Sequence, residues 1–382
     1  MDRSFTMSAR LFAVPIAYRD SAMTVPQPDR GRKLNSSPGR VRYTSERAKN
    51  GRDRFHVYSF KAVESRVMSV ALLRTFFQLL ALIGVNGDGW PNGKFKRAII
   101  IGLDGLGGYY LRNTSYHQAP TLWKVLTSPQ ACYNFLARAE YPLSSAANWA
   151  ALLTGMTPSE TGILTNDWDT SSLHPKVLTD GRVPPVSGEG NLPPTIFKLA
   201  KNQNKDIRTA LVYSWHWLGK LVDGNVDREF FGGNYDWKTA EYLVQQIKSG
   251  SPPDLTFIQF SGIDDAGHSS GWGSKAYYTA LAYMDGLVDD ILGALLEKSL
   301  LDGTLIAITS DHGGYRKGHG DWMRPTTQVP IIFFSPHRDM QEPGDKGWGG
   351  WLDIKDVAPT VLGAMGIRTS KYQRGRDFSA RF

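Results

Sequence analysis

The chain has 382 residues, 41% of them hydrophobic and 12% aromatic, enough to bury the core of one large α/β domain or two ordinary ones. Its single cysteine, Cys132, excludes an internal disulfide and a cysteine-built zinc site, so any metal here must use Asp, His and hydroxyl ligands. The net charge of +8 sits in residues 1–66, which hold 14 Lys and Arg against 6 Asp and Glu. The remaining residues balance at 30 against 30, so no nucleic-acid-binding surface is expected on the body.

Residues 1–66 are rich in Arg, Ser, Pro and Gly and read as a disordered extension. Residues 67–90 carry an apolar run, from Phe76 onward, of signal-peptide core length and too short for a membrane span. A chain starting at Met68 would place Arg74 before that run and small residues after it, the layout of a secretory signal ending near Gly87. A helix packed on the body is the competing reading. The first implies a secreted or endomembrane-lumen protein, the second a cytoplasmic one. Residues 95–382 form one expected domain.

Within that domain, strand and helix patterns alternate. Strands are expected over 97–103, 137–141, 209–213, 255–260, 305–309 and 329–334. Helices are expected over 121–126, 148–154, 195–201, 237–248, 276–296 and 354–365. This order predicts an α/β fold with a doubly wound, mostly parallel central sheet and helices on both faces. The Pro- and Gly-rich stretch 175–194 reads as a loop near the active site.

The chemistry gathers at strand ends, where open α/β sheets collect ligands. Asp104 follows the first strand, in Leu103-Asp104-Gly105. Gly102 to Gly107 lacks the spacing of a dinucleotide fingerprint, and a carboxylate there would repel a pyrophosphate, so Asp104 suits a metal better. Ser145 opens the helical stretch that contains Asn148, close to free N–H groups and the positive end of the helix dipole; a bare N-cap is its plainer reading. Asp264 and His268 are four residues apart after another strand, so one helical turn brings both to one side. Asp311, His312 and His319 lie within nine residues of each other after a third. Asp and His are suitable zinc ligands.

The order Asp104-Gly105, Ser145-x-x-Asn148, Asp264-x-x-x-His268, Asp311-His312-Gly313, His319 resembles the alkaline-phosphatase superfamily, and within it the type I phosphodiesterase/nucleotide pyrophosphatase branch. The likeness runs from about 97 to 376 and includes Thr154-Gly155, nine residues after Ser145, Thr157 to Ile163, Asp356 to Leu362 and Gly375-Arg376. It implies two divalent metal ions, zinc by preference. One would take Asp264, His268 and His319, the other Asp104, Ser145, Asp311 and His312. It implies Ser145 as the nucleophile of a phospho-serine mechanism, with Asn148 and backbone N–H groups binding a phosphoryl oxygen. The small-molecule substrate would be a phosphodiester or pyrophosphate of nucleotide type. Trp149, Trp168, Trp215 and Trp217 are candidates for a stacking wall, with ordinary core tryptophans as the competing reading, and Asn166 and Asp167 are placed to line the pocket. His174 and His216 read as surface or loop histidines.

This sequence departs from that branch at two points. Serine stands where threonine is usual, and Ala146-Ala147 replaces Phe-Pro. Serine is the monoesterases' nucleophile, so a phosphomonoesterase is also open, although no segment supplies a phosphate-clamping arginine unless Arg112 or Arg316 folds in. The same ligand order would suit a phosphoalcohol transferase acting on glycans, or a catalytically silent binding module that keeps the fold. A sulfatase would need Cys/Ser-x-Pro-x-Arg, which Ser145-Ala146-Ala147-Asn148-Trp149 lacks.

Overall fold

The structure is a computed structural model that describes residues 94–172, 192–336 and 352–382. The basic extension, the apolar segment 67–90, His174 and most of the 175–194 stretch lie outside them. Among the described residues no helix is long and apolar enough to cross a membrane.

In chain order the elements are β1 (Arg97–Leu103), α1 (Gly108–Arg112), α2 (Pro120–Leu126), β2 (Ala131–Arg138), α3 (Ser145–Thr154), α4 (Pro158–Thr161), α5 (Ile196–Gln203), β3 (Thr209–Tyr213) and β4 (Arg228–Phe231). There follow α6 (Asp236–Lys248), β5 (Leu255–Phe260), α7 (Gly262–Ser270), α8 (Lys275–Glu297), β6 (Thr304–Thr309), α9 (Arg324–Thr327), β7 (Gln328–Phe334) and α10 (Val357–Ala364). Seven strands make one sheet in the order β2-β7-β6-β1-β5-β3-β4. All neighbours pair in parallel except β7, which runs antiparallel to both β6 and β2. Strands β1, β5 and β6 are buried along their whole length, the mark of central parallel strands covered on both faces.

Successive side chains of β1 enter opposite cores. Ala98 and Ile100 join Trp149, Phe197 and Leu362 from α3, α5 and α10. Ile99, Ile101 and Leu103 join Leu122, Leu243 and Ile291 from α2, α6 and α8. That alternation is the pleat of a strand with two apolar faces, and it gives the expected doubly wound architecture. Gly102 is required by one contact: a Cβ there would meet the Trp149 ring at 2.6 Å.

The strands that differ from expectation lie at the sheet's edges. The strand expected at 137–141 occupies Ala131–Arg138 instead, paired to β7 with a register shift between Asn134 and Ala137. Its mixed polarity hid it, as Arg-Glu-Phe-Phe hid β4 at the opposite edge. At the centre of the sheet, the helical turn expected to carry Asp264 and His268 after β5 extends to the nine-residue α7.

Helix α2 depends on a distant cap. Asp285 of α8 is 2% exposed and accepts the backbone N–H groups of Thr121 (2.9 Å) and Leu122 (2.7 Å). Asp285→Ala would leave two buried donors unpaired, so we expect a loss of about 2–4 kcal/mol in chemical denaturation, with metal content of the remaining folded protein unchanged.

Candidate active site

Asp104, Asp264 and Asp311 follow the C-terminal ends of β1, β5 and β6, three adjacent parallel strands, so topology alone brings their side chains to one edge. The turn after β1 is tight. Gly105 has φ +73°, and a Cβ there would lie 2.8 Å from the Asp264 Cα, so only glycine lets the two carboxylate segments approach.

Each carboxylate has one oxygen held and one bare. Asp104 Oδ2 accepts from Trp149 Nε1 (3.2 Å) and Gln259 Nε2 (3.1 Å), while Oδ1 is buried without a donor. Asp311 Oδ1 accepts from the Gly105 N–H at 3.2 Å, while Oδ2 has none. Asp264 Oδ2 lies 3.3 Å from His268 Nε2, and Oδ1 is bare.

The histidines are held in a matching way. Nδ1 of His268, His312 and His319 faces the carbonyl of Lys317 (3.0 Å), Gly313 (3.0 Å) and Leu143 (2.7 Å) respectively. A carbonyl only accepts, so each Nδ1 carries a proton; His312 and His319 then present the Nε2 lone pair, while His268 donates from Nε2 to Asp264. His312 Nε2 lies 3.1 Å from Ser145 Oγ, 3.2 Å from Asp311 Oδ2 and 3.9 Å from Asp104 Oδ1. The His312 and His319 rings stack at 3.8 Å.

Three buried, unpaired carboxylate oxygens beside the Nε2 lone pairs of His312 and His319 are costly without cations, and the donor set suits zinc. The residues fit metal ions on this ground. Two triads have ligand atoms within 4.8 Å of one another: Asp264, His312 and His319, and Asp104, Asp311 and His312. The second agrees with the expected set. In the first, His312 takes the place expected for His268, whose Nε2 is turned onto Asp264 at the open side.

The charges feel this crowding. Burial, then Asp311 and Asp264, hold the Asp104 carboxyl well above the usual carboxylate range. Burial would raise Asp264 too, but the bond donated by His268 brings it below that range. The Asp264 bond lifts His268 to about 9, and burial beside His312 pushes His319 down to about 4.

Ser145 opens the ten-residue α3 and is 6% exposed. Asn166 sits next to it, its Oδ1 accepting from Ser144 Oγ (2.6 Å) and the Ala146 N–H (3.0 Å). Three expectations need correction here. Asn148 does not face a ligand: its Oδ1 accepts the Glu140 N–H and its Nδ2 donates to the carbonyls of Glu140, Pro142 and Ser144. It clamps the loop leading to Ser145. Trp149 is fully buried, wedged between Gly102 and Phe257, and holds Asp104 where it was expected to stack on substrate. Trp168 is 6% exposed and packs on the buried Trp217, so both take the competing core reading; Trp215, half-buried, stacks on Trp217 from outside.

Asp167 is exposed, with no contact tying it to the cluster. Arg112 and Arg316 are also exposed, and the Arg316 guanidinium lies over Tyr315. The expectation missed two positioning residues. Gln259 is a polar residue inside an apolar strand, a legible signal. Asp236 caps the N–H groups of Ser261 and Gly262 (both 2.9 Å), at the turn carrying Asp264, and its sequence context marks nothing.

A profile of the type I phosphodiesterase / nucleotide pyrophosphatase family matches residues 98–316, and one for sulfatases matches 273–367. The chain belongs to the type I phosphodiesterase/nucleotide pyrophosphatase family, within the alkaline-phosphatase superfamily. It is 24% identical to human GPI ethanolamine phosphate transferase 2, catalytic subunit, over 74% of this chain and 27% of that one. It is 24% identical to ectonucleotide pyrophosphatase/phosphodiesterase 2 of Saccharomyces cerevisiae over 53% and 43%, and 37% identical to human iduronate 2-sulfatase over 23% and 17%. The chain thus spans less than half the length of these relatives. Two solved structures share the fold. A 2-O GAG sulfatase has TM-score 0.58 at 15% identity, covering 75% of this chain and 73% of its own. Murine ectonucleotide pyrophosphatase / phosphodiesterase 5 has 0.54 at 10%, covering 75% and 98%.

One substitution separates the site's electrostatic cost from its use. With its pKa raised on folding, Asp104 makes the metal-free fold lose stability as pH rises from 3.8 toward the raised value. We expect Asp104→Asn to be more stable than the parent after chelator treatment at neutral pH, and to gain less stability on adding zinc. Thermal melts with and without zinc check both signs.

Proposed function

We propose that this protein is a metal-dependent phosphodiester hydrolase acting through a phospho-serine on Ser145. The observation that carries this reading is the setting of Ser145: a hydroxyl in the first turn of α3, 3.1 Å from His312 Nε2 and beside the carboxylates with bare oxygens. Asp264, His319 and His312, with His268 at the edge, would hold one ion; Asp104, Ser145, Asp311 and His312 would hold the other. Such ions, two zinc in this proposal, supply charge neutralisation at phosphate and a lowered hydroxyl pKa.

The chain's own groups do the rest. Ser145 Oγ forms the new bond to phosphorus as the alcohol oxygen leaves, and water then displaces the serine. Free N–H groups at the start of α3 favour the phosphoryl oxygens. The Asn166 NH2, for which the structure gives no acceptor, is placed to join them in the role expected for Asn148. Asn148 holds the loop, and Trp149 and Gln259 fix Asp104 so that its bare oxygen keeps its direction. Diester over monoester is supported by the exposed Arg112 and Arg316, which leave the cluster without a buried arginine clamp among the described residues. Ala147 and Trp149, standing where a sulfatase needs Pro and Arg, weigh against sulfate esters.

A second reading has one observation in its favour, the 74% span of the match to the ethanolamine phosphate transferase: a glycan hydroxyl in place of water as acceptor. The same serine chemistry serves it.

With zinc, we expect bis-p-nitrophenyl phosphate to be cleaved faster than p-nitrophenyl phosphate, and Ser145→Ala to lower kcat by about 10³-fold or more with metal content retained. A preference for the monoester would favour the phosphomonoesterase instead, and glycoside products with an added methyl glycoside would favour the transferase. We extend the proposal to a secreted or lumenal protein with residues 67–90 as targeting signal. N-terminal sequencing of mature material should then begin beyond Gly87, and an intact 1–90 segment would refute the signal.

A further inference from the structure

Trp149 and Trp168 are buried, yet two exposed aromatic rings flank the loops that carry Ser145 and His319. Tyr141 is 69% exposed and Trp322 57% exposed, and their rings meet edge to face at 5.8 Å and 75°. Both are tied to the chemistry. Tyr141 lies four residues before Ser145, within about 14 Å even for extended chain, on the loop that Asn148 clamps. Trp322 lies three residues after His319, whose Nδ1–H donates to Leu143 on that same loop.

The two rings border an open surface groove of about 360 Å³. Its other walls include Arg138 and an ion cluster in which Lys355 bridges Glu140 and Asp353 (2.9 Å to the latter). Gly375 packs its backbone against Lys355, and Asp356 is held by Arg376, so the C-terminal segment serves to fix this wall.

The geometry selects among ring-shaped ligands. Rings at 75° form no parallel-walled slot that would clamp a planar nucleobase on both sides. A pyranose offers C–H faces to aromatic rings and hydroxyls that both donate and accept. The cluster supplies acceptors on Glu140 and Asp353 and donors on Lys355 and Arg138. We propose that Tyr141, Trp322 and the Glu140–Lys355–Asp353 cluster form a subsite for a sugar ring on the alcohol of the scissile ester, making the substrate a sugar phosphodiester. This inference rests on the phosphodiesterase reading for its reaction, and on the groove alone for its ligand.

The test uses the zinc-loaded full chain with three esters: bis-p-nitrophenyl phosphate, the p-nitrophenyl diester of glucose 6-phosphate, and the thymidine 5′ p-nitrophenyl diester. The wild type should favour the hexose ester at least tenfold in kcat/KM over both others. Tyr141→Ala and Trp322→Ala should cut the hexose-to-bis-p-nitrophenyl ratio at least tenfold, mainly through KM, with Trp322→Phe restoring most of it. A thymidine preference, or a ratio moving less than twofold in both alanine variants, overturns the proposal. In parallel, tryptophan fluorescence is titrated with methyl glucoside, galactoside and mannoside. A saturable change abolished by Trp322→Ala upholds the subsite even if no ester is cleaved, and then only the phosphodiesterase reading fails. No glycoside response in the wild type, together with no hexose preference, overturns it.

Discussion

Three carboxylates share one buried pocket, and that crowding organises the rest of the molecule. Burial penalises each charge, and like charges a few ångströms apart penalise each other. The fold answers by fixing one oxygen of each carboxylate with a donor or an imidazole and leaving the other bare. It turns the Nε2 lone pairs of His312 and His319 inward by binding their Nδ1–H groups to carbonyls. A site so arranged is complete only with cations, and its neighbours are committed to that geometry. Trp149 and Gln259 hold Asp104, Gly105 admits Asp264, and Asp236 secures the turn behind it.

Much of this was legible in the chain. Continuous apolar runs gave the central strands, because a parallel strand covered on both faces has no polar alternation to confuse the reading. The metal-type residues stood out because each follows such a run. The edge strands β2 and β4 carry mixed side chains and were misplaced or missed. Side-chain direction was not legible at all. Asn148, Trp149 and Trp168 have the right chemistry in the right segment for substrate contact, but helix phase and loop path turn them inward, onto the Glu140–Ser144 loop, Asp104 and Trp217. Asn166, twenty-one residues from Ser145, comes beside it through a loop whose path no periodicity encodes.

The corrected roles change how specificity is understood. Trp149 and Trp168, near Ser145 in sequence, are internal supports, while Tyr141 before α3 and Trp322 after His319 face solvent. Asn148 joins the two tasks, since one amide fixes both the loop that ends at the nucleophile and the loop's start at Glu140.

The placement of the three aspartates on β1, β5 and β6 has a consequence for how the protein matures. These residues are distant in sequence and meet only when all three strands are paired in register. No short segment of the unfolded chain reproduces the ligand set, so ions that fill it bind the native state almost alone and stabilise it by mass action. Strand pairing of such long range is also slow to form. The complete ligand set therefore exists only once the sheet is closed, and ions that fill it would lock a chain already in the correct register.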